Sequence, residues 1–136
     1  MMSVFNGCSS LTSIDFGNID TKKVNTMNRM FRGCSSLISL DLSRFDTSNV
    51  RDIGWMFRDC SSLISLDLSH FNTSIVTTLN IIFGGCYSLR SLDVSSFNTI
   101  SVEDMSWVFF QCSNLTSIDV SHFQTQNVVS MNNFFP

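Results

Sequence analysis

Apolar and polar positions recur along this chain with a period of 26 residues, without one insertion or deletion. Leu11, Leu37, Leu63, Leu89 and Leu115 form one column. Ile14, Leu40, Leu66, Leu92 and Ile118 form a second, and Phe16, Leu42, Leu68, Val94 and Val120 a third. In the second unit Leu40 and Leu42 alternate with Ser39, Asp41 and Ser43, which predicts a strand with one buried and one wet face. Phe45 then turns back into the core. Beyond it the period changes: Val50, Ile53 and Phe57 fall at i, i+3 and i+7 with Met56 at the edge, which predicts a helix of roughly ten residues. Thr47 and Ser48 stand where a hydroxyl can cap its first turn. Gly7, Gly33 and Gly85 stand where it would stop, with Asp59 and Gln111 in their place in two units.

The burial within one such unit is of similar size to the entropy of ordering its backbone, so a lone unit has no margin and units must stack and share their apolar faces. Strands pair about 4.8 Å apart, whereas helices pack about 8–10 Å apart. A stack with strands on one side and helices on the other therefore bends. The expectation is an α/β solenoid of about five repeats: a horseshoe segment with a parallel β-sheet on its concave face and short helices on its convex face. Residues 1–136 read as a single domain, with no linker or low-complexity break.

The cysteines are the ruler of the repeat, at Cys8, Cys34, Cys60, Cys86 and Cys112. No C-x-x-C and no His at ligand spacing accompany them, which argues against a metal site. A disulfide needs Cβ atoms within about 4.5 Å, closer than neighbouring rungs offer, so a ladder of buried free thiols is expected. Net charge is −3 and only 14% of residues are charged, which speaks against nucleic acid as a partner. Hydrophobic residues make up 43%, yet no run approaches the roughly 18 consecutive apolar residues of a membrane span, and no secretory signal follows Met1 and Met2. Met1 aligns with Met27, and the last residues, to Pro136, stop inside a unit. The polar caps usual in solenoids are missing, so the chain reads as an excerpt of a longer array, with end-to-end self-association expected.

Leu37, Leu40 and Leu42 spell L-x-x-L-x-L, the strand signature of leucine-rich repeats. The stretches Met30-Phe31-Arg32-Gly33-Cys34-Ser35-Ser36-Leu37 and Leu40-Asp41-Leu42-Ser43-Arg44-Phe45-Asp46-Thr47-Ser48-Asn49-Val50 resemble the repeat of the BspA-like leucine-rich-repeat surface proteins, and the resemblance covers the whole chain. It implies a cell-surface or secreted protein without catalysis, engaged in adhesion or protein–protein interaction.

No catalytic residue, metal ligand or cofactor is nominated by the sequence. Asp15, Asp41, Asp67, Asp93 and Asp119 put one carboxylate on each rung. They read either as a cation track or as acceptors for flanking Ser hydroxyls and turn N–H groups. Two exposed columns vary between units: Asn18, Arg44, His70, Ser96 and His122 after the strand, and Thr12, Ile38, Ile64, Arg90 and Thr116 before it. Ser39, Asp41, Ser43, Arg44, Asp67, His70, Arg90, Asp93, Asp119 and His122 are therefore the candidate partner-binding residues of the concave face, for a protein or surface glycan ligand. Trp55, Ile81 and Trp107 share a column opposite the buried stripe and are candidates for a convex contact. The alternative function is a structural spacer in a larger surface protein. A remoter one, ice binding, would need Thr21, Thr47, Thr73, Thr99 and Thr125 as an exposed array. Asn72-Thr73-Ser74 and Asn114-Leu115-Thr116 match the glycosylation sequon.

Overall fold

The structure, a computed structural model, describes residues 2–135; Met1, with its match to Met27, and Pro136 lie outside the described residues. The units stack as rungs in register. The predicted interior columns are buried throughout the middle of the stack, from Leu37, Leu40, Leu42 and Phe45 to Leu89, Leu92, Val94 and Phe97. Phe31, Phe57, Phe83 and Phe109 form a continuous pile of near-parallel rings, with centroids 5.8–5.9 Å apart and planes within 8°. Each such pair contributes about 0.5–1.5 kcal/mol beyond its area burial. The spacing also measures the rise between rungs at the core.

The predicted helices are not there. Among the described residues the chain has no helix, and its only pairing is a column of isolated parallel bridges: Thr26 to Asp52, Asp52 to Thr78, Thr78 to Asp104 and Asp104 to Ser130. The stretch read as helix is a run of tight turns whose amides alternate in destination. Met27, Arg29, Phe31 and Gly33 donate to the next rung, at the carbonyls of Asp52, Gly54, Met56 and Arg58 (2.7–3.1 Å). Met30, Arg32 and Cys34 instead donate three residues back, to Met27, Arg29 and Phe31 (3.1–3.2 Å). A helix would use all of them internally, four residues back.

Two left-handed residues per rung enforce this. Ser3, Arg29, Trp55, Ile81 and Trp107 have φ of 53–62°, and so, four residues later, do Asp59 and Gln111 at 60° and 59°, in the column of Gly7, Gly33 and Gly85. Positive φ interrupts a right-handed helix wherever it occurs. The left-handed stop expected at Gly33 and its equivalents is present, even at Asp59 and Gln111, but it closes a turn. Helical spacing misled because the turn run buries the same positions: Met27, Met30, Phe31 and Cys34 all point inward.

The concave sheet needs the same correction. Over 37–43 the alternation holds in burial, Leu40 and Leu42 inside, Ser39, Asp41 and Ser43 outside. Cross-rung amide bonds on this side are sparse: Ile64 to Ile38 at 3.2 Å, Arg90 to Ile64 at 3.1 Å and Ser88 to Ser61 at 3.2 Å. Amides on a wet face lose little by bonding to water. The continuous ladder lies on the turn side, where backbones meet at hydrogen-bond distance. The helix-to-strand spacing difference that predicted a horseshoe is therefore absent.

The Thr column is not a row of helix caps. Thr47 Oγ1 donates to the Asn72 carbonyl at 3.1 Å and accepts the Asn72 N–H at 2.8 Å. Thr21 does the same with Asp46, Thr73 with Asn98 and Thr99 with Gln124. One hydroxyl thus satisfies both backbone groups of a residue in the next rung. These four Thr side chains are 1–2% exposed and Thr125 alone of the column is exposed, so the exposed array that ice binding would need is not there among the described residues.

Candidate functional site

Each exposed carboxylate on the strand side closes a small turn. Asp41, Asp67, Asp93 and Asp119 accept through Oδ1 from the N–H of Ser43, Ser69, Ser95 and Ser121 at 2.8–2.9 Å, and Asp15 does so from Gly17 at 2.8 Å. The Ser43, Ser69 and Ser121 hydroxyls first, and their N–H groups second, hold the partner carboxyls below the usual Asp range; for Asp93 the Ser95 N–H leads. For Asp41 these bonds outweigh the opposing charge of Asp67 one rung away. Of the two readings of this ladder, the turn-forming one describes what these carboxylates do.

The ten candidate partner-binding residues all lie exposed on this one strip. Ile38 and Ile64 are 55% and 42% exposed beside Arg90 in the column before the strand. In the column after it, several side chains are tied to the preceding rung. Arg44 reaches Asn18 Oδ1 at 3.4 Å, Ser96 donates to the Leu68 carbonyl at 3.1 Å, and His122 Nε2 lies 3.0 Å from the Val94 carbonyl. His70 has no such tie among the described residues. A recess of about 70 Å³ opens between Ile14, Asp15, Phe16, Gly17, Asp41 and Arg44.

The cysteines form the expected ladder of free thiols. Cys34, Cys60, Cys86 and Cys112 are buried and Cys8 is exposed. Each buried thiol donates to a Phe carbonyl of the preceding rung, from Cys34 to Phe5 at 3.2 Å through Cys112 to Phe83 at 3.1 Å. Burial pushes Cys34 and Cys112 up to about 11, and Cys60 and Cys86 well above the ordinary thiol range. Thiols so protonated are poor nucleophiles and poor metal ligands. In the two sequons, Asn72 accepts through Oδ1 from Ser74 Oγ at 2.8 Å, and Asn114 Nδ2 donates to the Tyr87 carbonyl at 2.7 Å.

The turn side carries a constellation that sequence reasoning missed. Trp55, Ile81 and Trp107 are half-buried, each at a left-handed turn position instead of on a helix. Trp107 packs edge-on against Phe110 at 4.7 Å. Trp55 is surrounded by three guanidinium groups, from Arg58, Arg29 and Arg32, at 4.5, 4.8 and 5.4 Å from the ring centroid. The signal was legible: Arg29 shares the column of Trp55, and Arg32 that of Arg58, in adjacent units of a chain with few charges. Helical periodicity concealed it by assigning those columns to an undifferentiated outer face.

Comparison with known proteins follows the same geometry. A family described as "Mycoplasma protein of unknown function, DUF285" matches residues 1–95 and again 63–136. A leucine-rich repeat protein from Eubacterium ventriosum has a similar structure, with a TM-score of 0.60 and 19% identity over 97% of this chain and 32% of its own. The T. pallidum leucine-rich repeat protein is similar with a TM-score of 0.50 and 20% identity, over 96% of this chain and 69% of its own. At these identities the likeness is one of fold, a leucine-rich-repeat solenoid, and this chain spans about a third of the Eubacterium protein's length. No curated protein matches it.

Proposed function

The chain belongs to the family described as Mycoplasma protein of unknown function, DUF285, and from that premise we propose that it is a non-catalytic, cell-surface or secreted repeat protein that binds a protein or a surface glycan through its strand-side face. The observation that carries this reading is the strip of exposed side chains at rung spacing on a backbone locked from both sides. Buried Leu and Phe columns fix it from beneath, and Asp-closed turns fix its edge. A surface held that way loses little conformational entropy on contact, which favours recognition. Within the strip the varying columns supply the discrimination: Ile38 and Ile64 offer apolar contact, Arg44 and Arg90 offer charge, and His70 is free to hydrogen-bond.

A second reading, a structural spacer, is favoured by the cross-rung ties of Arg44, Ser96 and His122. One experiment separates the two. The 136-residue chain is applied to arrays of immobilised extracellular proteins and glycans beside a variant carrying Arg44→Glu, His70→Glu and Arg90→Glu. The binding reading expects a ligand that holds the variant at least tenfold more weakly, about 1.4 kcal/mol. Indistinguishable retention of the two chains would favour the spacer.

A further inference from the structure

Three of the chain's eight Lys and Arg residues crowd one aromatic ring on the turn side, in a protein of net charge −3. Like charges this close repel, so their gathering needs compensation. The indole face supplies part of it. Carboxylates supply little more. Arg58 Nε lies 3.2 Å from Asp59, and this is the ion pair of the cluster among the described residues. Asp52, the other nearby acid, is already taken: it accepts from Asn28 Nδ2 at 3.0 and 3.1 Å and from the Gly54 N–H at 2.8 Å. Among the described residues the Arg29 guanidinium bonds to the amide oxygen of Asn28, at 3.0 Å. Among the described residues Arg32 Nε is shut from water and has no hydrogen-bond partner, although an unpaired buried donor is costly.

We infer that Arg29, Arg32 and Arg58, fanned around Trp55, form a binding site for an oxyanion group, a sulfate, phosphate or carboxylate. A guanidinium held beside a ring still has N–H groups for forked hydrogen bonds to such oxygens. An oxyanion would supply the negative charge that the three guanidinium groups lack. The site is distinct from the strand-side face and does not depend on its reading.

Trp55 reports on the site directly. In a Trp107→Phe background its emission is followed during titration with sodium sulfate, sodium phosphate and a sulfated oligosaccharide, against sodium chloride at matched ionic strength. The expected result is a saturable change with at least one oxyanion, weakened at least tenfold by Arg29→Gln and by Arg58→Gln. Arg32→Lys keeps the charge but not the fork and should weaken it at least threefold. Binding of the oligosaccharide tenfold tighter than inorganic sulfate would identify a polymer-borne anion as the ligand, and equal binding a free one; either outcome supports the site. A response no different from chloride, or variants with wild-type cooperative unfolding that bind like wild type, would overturn it.

Discussion

At the scale of the residue, single hydrogen-bonding groups explain why some columns do not vary. Thr73 Oγ1 serves both the N–H and the carbonyl of Asn98 from a site 2% exposed. Thr73→Val keeps the shape and removes both bonds, so it should lower stability by about 1–3 kcal/mol, read as a drop in the urea midpoint. Thr73→Ser should recover most of it. The sequence announced the column but not its use, because the partner lies 25 residues away in sequence while a helix-capping role lay within reach of local reading. The thiols make a second residue-scale case. Burial raises Cys34 and Cys112 from 9.0 to about 11 in the folded chain, so above the ordinary thiol pKa the unfolded chain binds fewer protons than the folded one. Their contribution is complete below about pH 9 and is lost as pH rises toward about 11. The urea midpoint should therefore fall between about pH 8 and about pH 10.5, less steeply in a Cys34→Ala, Cys112→Ala variant.

At the scale of the element, the repeating turn run is where sequence and structure part. Inward positions 27, 30, 31 and 34 fit a helix and the turn run equally well, so the hydrophobic pattern could not decide between them. The decisive information is backbone handedness at Arg29, Trp55, Ile81 and Trp107, residues that give no sign of left-handed preference. Only the glycine column gave such a sign. Its members also differ in surroundings. A Cβ at Gly33 would meet only Gly7, no nearer than 3.5 Å, whereas at Gly85 it would lie 2.5 Å from Asp59 Oδ1 and 3.4 Å from Asp59 Cα. Gly33→Ala should cost about 1–2 kcal/mol from conformation alone. Gly85→Ala should cost more, and adding Asp59→Gly should recover the excess, which a double-mutant cycle by urea unfolding would measure.

At the scale of the whole molecule, the stack, its register and its buried columns were legible because a strict period makes each unit a check on the others. The curvature argument was not, since it rested on a helix-to-strand spacing difference that the turn ladder removes. Nor was the pairing of unlike rungs. Asn28 bonds Asp52, and Asn80 bonds Asp104 at 3.0 Å, while Gly54 and Ser106 take the equivalent place in the alternate rungs. A Cβ at Gly54 would sit 3.2 Å from Asp52 Oδ1 and 3.3 Å from Asn28 Nδ2, so a larger side chain there would press on the pair. The turn-side ladder has one more consequence. Its amide bonds run from rung to rung along the stack, so a tensile load on the two ends of the chain would strain one rung's bonds at a time. Under an optical trap the molecule should lengthen in steps of about 90 Å, the contour of one unit, and shorten by the same steps when the load is released.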